Sequence, residues 1–230
     1  MSKRIVLPHY AHHVRERGVR KEPIFHDDSD RMVYIRALKK NCTECRIKIW
    51  AYCLMTNHVH LIAVTEDEKS ISLALHDAHS TYSSYFNAKY GFAGHVWARR
   101  PDICAMDYTH MSNAVRYVER NPVRAKMVIR AEDYLWSSAA AHCEIRDDTL
   151  LSGDCPLVGL IPDWSDWLEV DHSEAEKRTI REHTSAGRIW CTPEVLQELE
   201  RIHGRKLSSR KPGRPKKPEK PGLTGEFEFF

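Results

Sequence analysis

Apolar positions recur with two different periods along this chain. From Arg46 to Leu54 they alternate, with Ile47, Ile49, Ala51 and Cys53 on one side, and His58–Thr65 (HVHLIAVT) follows as an apolar, β-branched run. With Thr56-Asn57 as a turn, the two runs predict a hairpin in the middle of a sheet. Elsewhere the period is helical. Asp27-Asp28-Ser29-Asp30 offers a start for a helix carrying Met32, Ile35 and Leu38. Ser70 is the expected cap of a stripe formed by Ile71, Ala74, Leu75, Ala78, Tyr82, Tyr85 and Phe86, ending at Tyr90-Gly91. A third helix is expected to begin at Thr109 or Ser112, with Met111, Ala114, Val115 and Val118 on one face. Pro122 should end it near Asn121. Residues 9–17, closed by Gly18, and 94–107, interrupted by Pro101, read as further extended segments. The order strand, helix, strand, strand, helix, strand, helix predicts an α+β, ferredoxin-like antiparallel sheet. Residues 1–130 form that domain in this reading. Residues 131–207 are a mostly helical extension with Trp136, Trp164, Trp167 and Trp190 for packing. Residues 208–230 form a basic tail, disordered when unbound.

Composition narrows the class. In 230 residues, 42% are apolar, enough for a core, so wholesale disorder is excluded. No apolar run approaches the ~20 residues of a membrane span, and the start, MSKRIVLPHY, lacks a signal-peptide stretch. The seven cysteines are scattered and odd in number, which reads as a reduced, cytoplasmic protein rather than a disulfide framework. Cys42-x-x-Cys45 has no second pair to complete a zinc site and reads as a reduced helix-end pair. The formal net charge of +3 hides an asymmetry. Residues 201–220 carry +8, whereas residues 1–200 sum to −3. Such a block favours a polyanionic partner. Within it, Lys211-Pro212-Gly213-Arg214-Pro215-Lys216-Lys217 looks like an AT-hook core, an extended Arg-Pro segment able to lie in a narrow minor groove. The competing reading is a solvated tail that holds any polyanion.

His58-Val59-His60 puts two imidazoles on one face of a predicted strand, where they can share a metal ion. Fourteen histidines supply about one such pair by chance, so the pattern alone is weak. Its setting strengthens it, because two histidines at the start of an apolar central strand need a partner there. Asn113, Tyr117 and Asn121 are spaced i, i+4, i+8, which sets a hydroxyl nucleophile beside an amide oxygen ligand, as metal-assisted attack on phosphate requires. The alternative is a tyrosine lying across a helix–sheet interface with Asn121 as a helix cap. Ser137-Ser138 lacks a base at a diagnostic spacing and reads as a helix cap.

Taken together, AYCLMTNHVHLIAV, GHVWARR, RYVERNPVRAKMV and YLWSSAAAH resemble the REP-associated tyrosine transposases, a domesticated branch of the single-tyrosine HUH transposases (IS200-like). The resemblance runs from His12-His13-Val14 through PIFHDDSDR to HTSAGRIW and GRKLSSRKPGRPKK. It implies metal ligation by His58, His60 and Asn121 and nucleophilic attack by Tyr117. It further implies a divalent cation, Mg²⁺ or Mn²⁺, and cutting of single-stranded DNA beside a REP-like hairpin through a 5′-phosphotyrosine. Arg100, Arg116, Arg120 and Arg124, with Lys211, Arg214, Lys216 and Lys217 of the tail, are the expected DNA contacts. The relatives imply a monomer, with a dimer left open, and a cytoplasmic, nucleoid-associated location. The sequence departs from the family at Thr56, often Pro there, at Pro101-Asp102, and in the ending GEFEFF. A hairpin-binding protein that does not cut is the alternative, and a metal-dependent hydrolase of another substrate is a weaker third.

Overall fold

A computed structural model of the chain describes residues 5–207. The tail with Lys211, Arg214, Lys216 and Lys217 therefore lies outside the described residues. The expected order is present. β1 (Ala11–Arg17) leads to α1 (Asp28–Glu44), then β2 (Lys48–Met55), β3 (His58–Val64), α2 (Ser70–Tyr90), β4 (Asp102–Met106) and α3 (Tyr108–Glu119). The sheet is antiparallel in the order β2-β3-β1-β4, so the fold is the ferredoxin-like α+β sandwich.

Local chemistry explains the boundaries. Asp27 accepts from the Asp30 backbone N–H and Asp30 answers at Asp27, a reciprocal cap on α1. α2 ends on Gly91 in the left-handed region at φ 67°, which only glycine adopts without strain. Two expectations need correction here. Lys69, not Ser70, stands at the N-cap of α2, without a side-chain bond. Asp107 caps α3 by accepting from the His110 N–H, so that helix starts before Thr109. α3 stops at Glu119 with Arg120 as its C-cap, close to the expected Asn121. Pro122 then sits in a separate turn, α4 (Asn121–Arg124), since a proline lacks the N–H that a continued helix would need.

Side-chain alternation divides the sheet. Val14, Tyr52, Leu54, Val59, Leu61 and Ile103 pack against Tyr34, Leu38, Ala78 and Tyr82 of α1 and α2. The other face presents Ala51, Cys53, Ile62, Cys104 and Met106 to Met111, Ala114, Val115 and Val118 of α3. Ile49 belongs to the first face, not with Ala51 and Cys53, because the register shifts between Ile49 and Ala51. The hairpin is also not central. β3 is interior, but β2 is outermost.

The extension is less helical than expected. It holds α5 (Ala139–His142), α6 (Trp164–Glu169), α7 (Glu174–Ala186) and α8 (Pro193–His203), with turns and bends over most of 143–163. Trp164, Leu168 and Ile180 join the α3 core. Along the outer side of β2, the Leu54 N–H donates to Trp136 O, and the Ser138 N–H to Tyr52 O. Beside β4, the Trp190 N–H donates to Ala105 O at 2.8 Å. Ser138 makes no cap bond. Its hydroxyl goes to the Glu119 carboxyl. Cys42 and Cys45 are free thiols at the end of α1. Among the described residues no helix is long and apolar enough to cross a membrane.

Candidate functional site

The site lies on the α3 face of the sheet. Because Val59 points into the α1/α2 core, strand alternation sends His58 and His60 to the opposite side, their ring centroids 5.0 Å apart. β1 runs antiparallel beside them with Arg17 opposite His58, Arg15 opposite His60 and His13 opposite Ile62. The same alternation brings His13, Arg15 and Arg17 to this face. His13 stacks on His60 at 5.0 Å between centroids, and its Nε2 lies 2.7 Å from His60 Nδ1. α3 then lays Tyr117 across the pair, its ring centroid 6.1 Å from both His13 and His60.

Burial sets the charge state of the imidazoles. His13 is pushed down to about 3 and His58 to about 4, chiefly by desolvation and then by nearby arginines. His60 lies well below the ordinary histidine range, by burial first and then by the adjacent His58 and His13. All three are neutral near pH 7, the form that ligates a metal. Asn57 orients the first of them. Its Nδ2 donates to Lys21 O at 2.9 Å, so its Oδ1 accepts, and His58 Nδ1 donates to that oxygen at 2.7 Å. The lone pair of His58 is therefore on Nε2.

Tyr117 is enclosed by cations. The Arg124 guanidinium lies over its ring, 3.9 Å from the centroid, and Arg181 Nε of α7 donates to Tyr117 Oη at 3.4 Å. His172 faces the same ring at 6.2 Å, is buried, and neither ring nitrogen makes a well-formed hydrogen bond. Asn121 is held from both ends of its amide. Nδ2 donates to Tyr117 O and Val118 O, both at 3.1 Å, and Oδ1 accepts from Arg124 Nη2 at 2.6 Å. It thus caps α3 while its oxygen keeps one lone pair for another donor or ion.

The donor set fits a divalent cation of mixed preference. Two neutral imidazoles have Nδ1 engaged and Nε2 left over, and an amide oxygen lies one helical turn beyond Tyr117. Among the described residues no group of three His, Cys, Asp or Glu is arranged to hold a metal.

The expected DNA-contact residues divide. Arg124 is part of the site. Arg116 stacks over Trp167 at 5.2 Å, with Nη2 3.5 Å from Asn113 Oδ1. Arg120 is buried, donates to Leu168 O and pairs with Asp171 at 3.5 Å, so its charge ties α3 to the extension. Arg100 lines an open groove of about 1150 Å³ beside α2 with Arg20, Arg99, His76 and His95, and a smaller one with Arg15 and Arg17. Sequence reading assigned no role to His13, Arg15, Arg17, His172, Arg181 or Thr184. The period-2 pattern His13, Arg15, Arg17 was a usable signal for the first three. Thr184 falls in the HTSAGRIW run that carries part of the resemblance, but only tertiary packing brings it and Arg181 here.

A family model described as Transposase IS200 like matches residues 6–121, from the approach to β1 through Asn121. No curated protein is similar enough to count as a match. One similar solved structure is described as a REP-associated tyrosine transposase bound to a REP hairpin. It is 15% identical at a TM-score of 0.51, covering 66% of this chain and 96% of that one. At that identity the likeness is one of fold. A second, from Deinococcus radiodurans R1 and provisionally described as a transposase, is 12% identical at a TM-score of 0.37, covering 52% of this chain and 96% of that one.

Proposed function

The chain belongs to the IS200-like transposase family, and on that premise we propose that it is a metal-dependent endonuclease and strand transferase acting on single-stranded DNA beside a REP-like hairpin, with Tyr117 as nucleophile. The observation that carries this reading is the convergence of one tyrosine with a histidine pair. The Tyr117 ring stands 6.1 Å from His60, beside two guanidinium groups.

His58, His60 and Asn121 would hold Mg²⁺ or Mn²⁺, which when bound supplies Lewis-acid polarisation of a phosphate oxygen. The residues of the chain do the rest. Tyr117 Oη attacks the phosphorus and its proton passes to water. The Tyr117 O–P bond forms as the bond from phosphorus to the 3′-oxygen breaks. The electron pair leaves with that oxygen, which takes a proton to become a free 3′-hydroxyl. Arg124 and Arg181 flank the phenol and neutralise the phosphate that arrives there. Arg17, in register with His58, adds positive charge along the strand, whereas Arg15, in register with His60, is paired with Asp102 at 2.7 Å. In this reading Arg100 and the tail residues Lys211, Arg214, Lys216 and Lys217 hold DNA away from the chemistry, in a salt-dependent way.

One observation favours a second reading, a hairpin-binding protein that does not cut. The Arg124 guanidinium, bonded to Asn121 Oδ1, sets a positive charge beside the expected third ligand, which disfavours a cation there. An adduct assay separates the two. Incubation of the protein with a labelled hairpin bearing single-stranded flanks, with Mn²⁺, is expected to give a covalent product whose DNA-linked peptide contains Tyr117. A chelator and Tyr117→Phe should each abolish it. Retention of the hairpin without an adduct would establish the second reading, and an adduct surviving in Tyr117→Phe would remove Tyr117 from the role.

A further inference from the structure

The extension supplies a residue that reaches one of the proposed ligands through an intermediary. The Thr184 hydroxyl on α7 donates to Ile180 O, one turn back along the helix, at 2.8 Å. Its single proton is thereby used, so toward His13 Nδ1, 2.8 Å away, the same oxygen can only accept. His13 therefore carries its proton on Nδ1 and has a bare Nε2. That nitrogen lies 2.7 Å from His60 Nδ1 and must accept from it. The proton of His60 is then on Nδ1, which leaves Nε2 with its lone pair. All three side chains are buried, so water does not readily substitute for any partner.

We propose that Thr184 is a positioning residue for metal binding, setting through His13 the tautomer in which His60 presents a bare Nε2. The proposal rests on the assignment of His60 as a metal ligand made above. It also gives the C-terminal extension, which lies beyond the residues matched to the family, a part in building the site. A neutral imidazole offers a metal only the nitrogen without the proton, and the hydrogen bond at the other nitrogen decides which that is. Without an acceptor at position 184, His13 gains by moving its proton to Nε2. It would then donate to His60 Nδ1 and force the His60 proton onto Nε2, closing the ligating position.

The test is Thr184→Val, which keeps shape and removes the acceptor, with Thr184→Ser as the variant that restores it. The full-length, metal-free proteins are compared by long-range proton–nitrogen correlation NMR of ¹⁵N-histidine, which reads each tautomer without any metal or DNA. In wild type and Thr184→Ser, His60 is expected as the Nδ1–H form and in Thr184→Val as largely Nε2–H. Calorimetric titration with Mn²⁺ alone should show affinity lower by about 10-fold or more in Thr184→Val, in line with losses of partners that orient metal ligands. An unchanged His60 tautomer in Thr184→Val, or Mn²⁺ affinity equal to wild type in a folded variant, would overturn the proposal. If wild type binds no Mn²⁺, the metal-dependent function falls, and the NMR comparison still decides whether Thr184 sets the His60 tautomer.

Discussion

Replacing Glu119 with leucine tests how α3 is held to the extension. Glu119 ends α3 two residues after Tyr117 and is fully buried. Its Oε1 accepts from Ser138 Oγ and from His142 Nδ1 at 2.6 Å, and its Oε2 from Trp164 Nε1 at 2.8 Å. Glu119→Leu leaves all three donors in a dry interior. An unsatisfied buried donor costs about 1–3 kcal/mol, and the buried leucine returns about 2 kcal/mol, so the net loss should be about 4 kcal/mol. Glu119→Gln keeps the shape and one acceptor oxygen but turns an NH₂ toward at least one donor, and should lose about 2 kcal/mol. Urea denaturation followed by far-ultraviolet circular dichroism at neutral pH measures both. If Glu119→Leu stays within about 0.5 kcal/mol of wild type, the three donors have found other partners and the network does not join the two parts of the chain.

Two further stability predictions follow from buried groups. His12 accepts from the Leu7 N–H at 3.0 Å and is pushed down to about 4, while His79, beside the Tyr34 hydroxyl, is pushed down to about 3, in both cases chiefly by burial. Their neutral forms contribute stability in full above about pH 6.5, where the unfolded chain is also neutral. Below it the unfolded chain takes up protons the fold refuses, so each costs up to about 1.4 kcal/mol per pH unit down to its folded value. A urea midpoint unchanged between pH 7.5 and 5 would contradict this. At Gly18, next to the turn that leads into His58, an added Cβ would lie 2.5 Å from Glu22 O and 2.7 Å from Ile24 Cγ2. Gly18→Ala should therefore lower the urea midpoint by the equivalent of about 1–3 kcal/mol, and an unchanged midpoint would mean the 18–24 loop yields freely.

The sandwich was legible because its elements carry their own period. The apolar, β-branched run of β3 and the helical stripe of α2 identify themselves without knowledge of their neighbours. The histidine pair was legible for the same reason, since its geometry follows from strand alternation alone. Features set by a second element were not. The register slip at Trp50 moves Ile49 to the other face, and nothing in the residues 46–54 announces it. His13 was visible in the first strand, yet its value depends on lying across from Ile62, a pairing 49 residues away in sequence. Arg120 and Arg124 look alike along the helix. Packing by α6 separates them, since Leu168 O takes the guanidinium of Arg120 whereas that of Arg124 remains with Tyr117.

The backbone bonds that Trp136 and Ser138 make with β2, and Trp190 with β4, bear on self-association. Both outermost strands already have a neighbour from their own chain. Among the described residues, a second molecule that lays a strand against β2 at Tyr52–Leu54 or β4 at Ala105 first has to displace those bonds, which makes sheet extension at these points costly. Where the flanking segments sit, strand addition becomes an exchange that strips one of them away.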